Sequence, residues 1–342
     1  MNNSKLYVQV VLVFIVNVTI ILIFWEILPV NFRVNESSDY FAYYEPVARN
    51  ILNGNGIVVL NQQPAVSNPP GYAFILAGFF ALARLFSLPE ALVNSGFTLL
   101  LMAISSMSVF LFARRVWGIP GAWISALFFM TYPFVLWLTK QPASEVPFMA
   151  AFFISVYLFW TGLENDKNIW ITLVLSGCFA GISMLIGGIA IGVGIILAIL
   201  LLALKKNISV KRRFVEALVL LLANFLIILP WGIWTYRETG HLIPLGTNGV
   251  PSIRDGLTFA VVSKGYRQKI EVPPDVENLQ NQLLSKNDSM TSLGTIAQVI
   301  FGFLIKEPIP VIKLFLIKML RSWYGTDSFE LFIGMEIETS KY

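Results

Sequence analysis

The sequence predicts an all-α integral membrane protein with about seven transmembrane helices. Of its 342 residues, 56% are hydrophobic and only 13% are charged, whereas about 25% of the residues of a soluble domain are charged. The apolar residues also fall in long runs, and about twenty of them suffice to cross a bilayer. The net charge of +4 is small and scattered, so no face suited to nucleic acid is expected and none is predicted as a partner.

Seven apolar segments are long enough, or nearly long enough, to be spans. The first is too long for the core of a signal peptide, so we expect a retained span. The fifth contains Gly177 and Gly181, a G-x-x-x-G pair that lets helices approach closely, and we expect that contact within the chain rather than in a dimer. The predicted spans are 6–28, 91–113, 119–138, 146–163, 168–187, 189–204 and 214–233.

Basic residues predict the orientation of these spans. Cytoplasmic loops carry an excess of Lys and Arg. Arg114 and Arg115 follow the second span, and five basic residues lie between the sixth and the seventh, at 205–213. A cytoplasmic N-terminus places all of them in the cytoplasm, and we expect the plasma (inner) membrane as the location. The extracytoplasmic segments are then 29–90, the loop at 140–145, and the residues after about 234.

Two further apolar segments are predicted to lie at the outer membrane surface. If 71–89 were a span, Arg114 and Arg115 would lie outside the cytoplasm. A short interfacial helix is therefore preferred for this segment. Segment 308–324 carries Lys313 and Lys318 among apolar residues, and a span would bury each charge at a cost of about 3 kcal/mol. A basic amphipathic surface helix fits better. The predicted domains are a transmembrane core, 1–234, with the first outer loop at 29–90, and an extracytoplasmic segment, 235–342.

The first outer loop is the best candidate for chemistry, because a connection of its length is usually functional or disordered. In SSDYFAYYEPVARNIL, a helix that begins near Ser38 puts Asp39 in its first turn and Tyr43 one turn later. The helix amides favour an ionised Asp39, and a carboxylate there can act as a general base on an incoming hydroxyl. The alternative is that Asp39 only caps the helix or complements its dipole.

A second outer loop offers Lys140 and Glu145. Lys140 can pair with phosphate or only snorkel at the end of a span. Glu145 can orient a substrate, bind a metal or simply begin a helix. His241 and Cys178 are the only residues of their kinds, so a metal, if used, would be Mg²⁺ or Mn²⁺ on oxygen ligands, with Glu145 and His241 as the candidate ligands. The alternative for His241 is an ordinary surface loop residue.

Several short motifs follow one another in a characteristic order. An Asp-x-x-x-Tyr and a Gly-x-Gly follow the first span, and Pro-Pro-Gly-Tyr comes next. Pro-Trp lies near the outer end of the last span, and IPLGTNG lies in the polar loop after it. This order resembles the GT-C membrane glycosyltransferases, the superfamily of the protein O-mannosyltransferases and the lipid A aminoarabinose transferases. Trp234 and Gly187 stand where members often carry arginine. The stretches that carry the resemblance are 39–56, 68–72, 177–185 and 230–249.

The resemblance implies an enzyme that moves a sugar from a polyprenyl-phosphate donor to an acceptor lipid, glycan or protein at the extracytoplasmic membrane face. Asp39 matches the family's catalytic base. Two alternatives stay open: a non-catalytic relative that binds a polyprenyl or sugar lipid, and a transporter, which the nearly uncharged span centres disfavour. The residues expected to bind substrate are Tyr43, Lys140, Glu145, Arg237 and Asn248.

Overall fold

The structure, a computed structural model, describes residues 3–32, 35, 37–258, 260–261, 266–267 and 272–324. It divides into two units, Met1–Gly246 and Thr247–Tyr342. The predicted functional domains, 1–234 and 235–342, stay a prediction. The segment after the last span packs back on the first unit, because the Nε1 of Trp231 donates a hydrogen bond to the carbonyl of Leu245 at 3.1 Å.

The first unit is built from nine α-helices among its described residues. Short 3₁₀ turns precede α7 and α8. The helices are α1 (Asn3–Ile27), α2 (Glu45–Leu52), α3 (Gly71–Phe86), α4 (Glu90–Thr131), α5 (Pro133–Leu138), α6 (Glu145–Glu164), α7 (Ile169–Ile186), α8 (Val193–Leu204) and α9 (Val210–Thr239).

Five helices of the described chain are long and apolar enough to cross a membrane, which establishes an integral membrane protein but not the predicted count of seven. The predicted second and third spans fall in α4, which Gly118 interrupts with φ 74° and ψ −170°. The predicted sixth span, 189–204, contains only the 12-residue α8. The five spans are Lys5–Ile27, Glu90–Thr131, Glu145–Glu164, Asp166–Ile186 and Val210–Thr239.

Small residues bring α7 and α9 into close contact. A Cβ at Gly177 would lie 2.3 Å from the carbonyl oxygen of Leu220, and one at Gly181 would lie 2.8 Å from the Cβ of Ile227. Neither gap admits a larger side chain. The G-x-x-x-G pair therefore serves packing within the chain, as predicted.

Polar side chains also join the spans inside the bundle. The Nδ2 of Asn17 donates to the Oγ of Ser106 at 2.9 Å, which links α1 to α4. The hydroxyl of Ser155 donates to the carbonyl of Ser176 at 2.8 Å, and that of Ser176 donates to the carbonyl of Ser155 at 2.9 Å. Such bonds between membrane helices each stabilise the packing by about 1 kcal/mol.

One end of this bundle is held by ion pairs, and we name it the charged end. Arg115 of α4 pairs with Glu164 at the end of α6. The Nζ of Lys205 lies 2.8 Å from Asp166 and 3.2 Å from the buried Glu216 of α9. The basic residues that were predicted to be cytoplasmic thus gather at one end.

The opposite end of the first unit, which we name the site end, gathers the first outer loop, the loop at 140–145 and the residues that follow α9 up to Gly246. The Nε1 of Trp25, near the end of α1, donates to the Oγ1 of Thr139 at 3.1 Å. The start of α3 abuts the end of α7, where a Cβ at Gly71 would lie 2.6 Å from the carbonyl oxygen of Leu185. At 16 residues, α3 is shorter than a span, and its interfacial position stays a prediction.

The second unit is a small helical domain with an apolar core. Outward apolar side chains of α13 such as Ile312, Leu316 and Met319 are about half exposed. That the helix lies on the membrane surface stays a prediction. The core is formed by Val276, Leu279, Leu283, Phe303, Val311 and Leu314. The elements are α10 (Gly249–Thr258), a two-residue antiparallel pair β1 (Ala260–Val261) and β2 (Tyr266–Arg267), α11 (Pro274–Leu284), α12 (Leu293–Lys306) and α13 (Pro308–Tyr324).

Candidate active site

The helix that carries Asp39 is not a regular α-helix. Residues Tyr40–Tyr44 form a π-helix, in which the N–H of Glu45 donates to the carbonyl of Tyr40. This i→i+5 bond makes the turn wider than the predicted α-turn. Tyr44, five residues after Asp39, therefore takes the place on the helix face that the sequence assigned to Tyr43. Single π-turns of this kind are frequent at functional sites.

The carboxylate of Asp39 is exposed and does not cap its helix. Among the described residues, the Oγ of Ser37 accepts the amide of Tyr40 at 3.3 Å, whereas the side chain of Asp39 makes no capping bond. The side chain of Asp39 is therefore not a cap in this structure, and the alternative that it only complements the helix dipole stays open. An exposed carboxylate at a helix start is accessible to a substrate hydroxyl.

Tyr44 connects Asp39 with the second outer loop. Burial raises the pKa of Tyr44, the negative charge of Asp39 raises it further, and a hydrogen bond with Ser144 opposes the shift. The charge of Glu145 contributes in the same direction as Asp39. The phenol thus lies within electrostatic reach of both carboxylates. Asp39 and Glu145, 106 residues apart in sequence (145 − 39), share one region of the site end.

Two other tyrosines pack against Tyr44. Its ring makes edge-to-face contacts with Tyr72 at a centroid distance of 4.9 Å and with Tyr43 at 5.3 Å. Burial raises the pKa of Tyr72 well above its usual range, and the nearby Tyr40 and Glu145 add to the shift. Burial likewise raises the pKa of Tyr40 to about 12. The phenols therefore stay neutral at physiological pH and can donate hydrogen bonds.

Tyr43 holds the first outer loop in place. Its side chain is buried, and its hydroxyl lies 2.7 Å from the carbonyl of Ala65 and 3.1 Å from that of Asn68. The π-turn directs it into this core. Its predicted contact with substrate stays a prediction, while the structure gives it a positioning role.

Lys140 is a cation at the site end. Its Nζ lies 3.8 Å from the centroid of the Trp137 ring, and that ring meets Phe32 edge to face at 5.7 Å. The cation–π contact fixes the ammonium beside the loop that ends at Glu145. The preceding residue, Thr139, is the one bound by Trp25.

Three predicted residues follow the last span. Arg237 is exposed in the last turn of α9, and His241 is exposed just beyond the helix, both at the site end of the first unit. The segment after them rests on the first outer loop, because a Cβ at Gly246 would lie 2.6 Å from the carbonyl oxygen of Ser67. Asn248 is exposed and belongs to the second unit.

The stretches that carry the sequence resemblance are brought together by these contacts. The glycine of Pro-Pro-Gly-Tyr allows α3 to meet Leu185 of α7, and the glycine of IPLG allows close contact with Ser67. Gly54 and Gly56 have φ values of 78° and 90°, which favour glycine. Packing and backbone geometry thus account for several motif residues without any role in chemistry.

The described residues do not form a metal centre. No three or more His, Cys, Asp or Glu side chains of that part of the chain lie close enough to hold an ion. Glu145 and His241 would supply only two ligands. The divalent cation expected from the sequence stays a prediction.

A helical membrane bundle with carboxylates and cations gathered at one end is the arrangement expected of a membrane-bound transferase. The sequence profile of the dolichyl-phosphate-mannose-protein mannosyltransferase family matches residues 67–234, just under half of the chain. No curated protein and no solved structure is significantly similar. The match confirms the predicted resemblance and supports a GT-C superfamily glycosyltransferase. It includes Lys140 and Glu145, whereas Asp39 precedes it and Arg237 follows it.

Proposed function

We propose that the protein transfers a sugar from a polyprenyl-phosphate donor to an acceptor hydroxyl at the extracytoplasmic membrane face, with Asp39 as the general base. The observation that carries the proposal is that Tyr44 hydrogen-bonds Ser144 of the second outer loop and lies within electrostatic reach of both Asp39 and Glu145. Tyr44 thus connects the first outer loop with the start of α6. The start of α6 lies within the range that the family profile matches. Two carboxylates from distant segments at an exposed surface provide a base and a group that orients sugar hydroxyls.

The distribution of charge supports the choice of membrane face. The charged end carries Arg115, Lys205 and other basic residues, which favour the cytoplasm. The site end then faces away from the cytoplasm. A polyprenyl chain cannot leave the bilayer, so its phosphosugar must meet the acceptor at the membrane surface.

The proposed reaction is a single displacement. The acceptor hydroxyl gives its proton to the carboxylate of Asp39 as its oxygen attacks the anomeric carbon. The bond between that carbon and the phosphate oxygen breaks, and polyprenyl phosphate leaves with the electron pair. Attack opposite to the leaving group inverts the anomeric configuration. The exposed carboxylate of Asp39 can receive the proton without breaking a helix cap.

Cations at the site end are suited to the leaving phosphate. Lys140 is held on the face of Trp137, and Arg237 is exposed in the last turn of α9. Positive charge placed where negative charge develops lowers the barrier. We assign the phosphate to Lys140 and Arg237 and the sugar hydroxyls to Glu145 and the neutral phenol of Tyr44.

The test measures transfer of radiolabelled mannose from polyprenyl-phosphate mannose in membranes that contain the parent or a variant. Asp39→Asn keeps the size of the side chain and removes the base, so we expect transfer to fall by a factor of about 10² to 10⁴. Glu238→Gln removes an exposed carboxylate in the last turn of α9 and should leave transfer unchanged. Undiminished transfer by Asp39→Asn would remove Asp39 from the mechanism.

A second candidate function is binding of a polyprenyl-phosphate sugar without transfer. The observation that favours it concerns the two positions where relatives often carry arginine. Trp234 stacks on Trp231 at a centroid distance of 4.8 Å, and a Cβ at Gly187 would lie 3.0 Å from the ring of Phe148. Saturable binding of the lipid-linked sugar by purified parent protein, with no transfer from mannose or another sugar, would select this function.

A further inference from the structure

A network of ion pairs joins two loops at the charged end of the first unit. The Nζ of Lys205, a buried residue, lies 2.8 Å from Asp166 and 3.2 Å from Glu216. The Nε of Arg212 lies 3.0 Å from the other carboxylate oxygen of Glu216, and its Nη2 lies 3.6 Å from Asp166. Two cations thus meet two carboxylates, so the network itself is neutral. It holds the loop after α6 against the loop between α8 and α9.

These two loops also carry three lysines that lie outside the network. Lys167 follows its aspartate, Lys206 follows its buried lysine, and Lys211 precedes its arginine. All three are exposed, and in the part of the chain that the structure describes none of them forms an ion pair. The acid at the end of α6, Glu164, pairs with Arg115 instead. We name the three lysines the lysine cluster. Neighbouring Cα atoms are about 3.8 Å apart, so the cluster places three positive charges around a neutral network.

The position of Lys211 strengthens the attraction for an anion. Lys211 lies in the first turn of the 30-residue α9, and that turn contains no acidic residue. The N-terminus of a helix carries a partial positive charge, which favours anions and disfavours cations. Arg213, one turn position later, is placed differently, because its Nη1 donates a hydrogen bond to the carbonyl of Leu202 near the end of α8 at 2.9 Å. A bound anion would offset the unfavourable position of Lys211.

A cavity of about 370 Å³ opens at the lysine cluster. Lys206 and Asn207 line its polar side, together with Lys205, whose charge the network neutralises. Leu163 near the end of α6 and Leu204 at the end of α8 line its apolar side. A lining of this kind suits a ligand that has both a charged and an apolar part.

We propose that the lysine cluster and this cavity bind the headgroup phosphate of an anionic phospholipid. Clusters of basic residues beside a membrane span attract acidic lipids, and basic pockets between membrane helices bind their headgroups. Lysine pairs with phosphate as a point charge. On α8, Ile196, Leu200 and Leu204 are spaced one turn apart and are 56%, 39% and 52% exposed. This apolar stripe leads away from the cavity and can receive an acyl chain, which favours a lipid over free phosphate.

Native mass spectrometry of the full-length protein tests the proposal. The purified protein is titrated in detergent with phosphatidylglycerol, or with phosphatidylcholine of the same acyl chains, and the bound lipid is counted. We expect the parent to bind phosphatidylglycerol at concentrations where it binds no phosphatidylcholine. Lys206→Gln and Lys211→Gln should each weaken this binding by about fivefold. Lys206→Arg keeps the charge and should retain the affinity of the parent.

Lys5→Gln is the matched control. Lys5 is exposed near the start of α1, whose other end carries Trp25 at the site end, and it lies outside the cavity lining. The substitution removes the same charge and should keep the affinity of the parent. Leu204→Asn removes apolar lining without changing the charge and should weaken binding of phosphatidylglycerol. Unfolding temperatures in phosphatidylcholine show whether each variant is folded.

Three results would overturn the proposal. Equal binding of phosphatidylglycerol by the parent, Lys206→Gln and Lys211→Gln would show that the lysine cluster is not the site. An equal loss in Lys5→Gln and Lys206→Gln would indicate general attraction between a basic surface and an acidic lipid. Displacement of the lipid by millimolar inorganic phosphate would show that the cavity takes free phosphate. None of these measurements depends on sugar transfer, so the proposed function stands or fails separately.

Discussion

The indole of Trp25 donates a hydrogen bond to the hydroxyl of Thr139 at 3.1 Å, and this bond ties the end of the first span to the loop that carries Lys140 and Glu145. The hydroxyl of Thr139, a buried residue, donates in turn to the carbonyl of Leu136 at 2.6 Å. The bond joins residues 114 positions apart. It therefore fixes the second outer loop against the end of α1.

Replacing Trp25 by Phe should lower the free energy of unfolding by about 1 kcal/mol, because it removes one hydrogen bond and keeps an aromatic ring. Chemical denaturation of the purified protein, followed by helical circular dichroism, measures the change. Trp170→Phe is the control, since Trp170 is 45% exposed at the start of α7. If the two substitutions lower the free energy of unfolding equally, the hydrogen bond between Trp25 and Thr139 does not stabilise the protein.

Tyr43→Phe should loosen the first outer loop. The buried carbonyl of Ala65 and the partly buried carbonyl of Asn68 would lose the hydroxyl that faces them, at a cost of about 1 to 3 kcal/mol. We expect faster proteolysis within residues 53–68 and weaker sugar transfer. Tyr236→Phe, at a residue that is 62% exposed, should behave like the parent. If residues 53–68 of Tyr43→Phe are cleaved no faster than those of the parent, Tyr43 does not position the loop.

Gly177→Ala should destabilise the seam between α7 and α9. Its Cβ would lie 2.3 Å from the carbonyl oxygen of Leu220, so the helices must move apart, at a cost of about 1 to 3 kcal/mol. Gly78→Ala is a matched control, because a Cβ there meets nothing within 4 Å. Thermal unfolding in detergent compares the two. Similar unfolding temperatures would show that the seam tolerates the methyl group.

Lys318 should make the second unit more stable as pH rises through the alkaline range. Burial lowers the pKa of Lys318 from 10.5 to about 8, so the unfolded chain holds more protons than the folded chain between these two values. The free energy of unfolding of the second unit therefore rises with pH between about 8 and 10.5. This gain is lost as pH falls back to about 8. Proteolysis of residues 272–318 in membranes at a series of pH values measures this slope.

Two substitutions separate Lys318 from the other lysines of the second unit. Lys318→Met removes the titrating group and should flatten the pH dependence. Lys306→Met removes an exposed lysine at the end of α12 and should preserve the slope. A slope that survives Lys318→Met would assign the dependence to another group.

The spans could be predicted from sequence where long apolar runs end in charged or polar residues. The bounds of α1, α6 and α7 follow this rule to within three residues, whereas α9 extends six residues beyond its predicted end (239 − 233). The predicted second and third spans, 91–113 and 119–138, lie on either side of the break at Gly118, where two helices meet across a kink. The amino-acid composition of this segment shows that it is apolar. It does not show the backbone conformation at Gly118, where the helix is interrupted.

The candidate site was predictable in part. Asp39 and Glu145 could be found because the first follows a predicted span and the second precedes one. The pattern of basic residues predicted that both lie at the same end of the bundle. Tyr44 and Ser144 were missed, because the π-turn that puts Tyr44 on the face of Asp39 depends on the burial of Tyr43 and Tyr44. The only sign of Tyr44 in the sequence is the pair of adjacent tyrosines in DYFAYY. An α-helical spacing from Asp39 selects Tyr43 instead of Tyr44.

The account rests on Asp39 and Glu145 facing the same, extracytoplasmic side, and cysteine labelling tests this most directly. Single cysteines at Asp39, Glu145 and Asn207 are placed in a Cys178→Ala background, and a membrane-impermeant maleimide is added to sealed vesicles of each orientation. Asn207 is exposed beside the charged end. We expect the first two to react in right-side-out vesicles and Asn207→Cys only in inverted ones. Labelling of Asp39→Cys and Glu145→Cys from opposite faces would contradict the account.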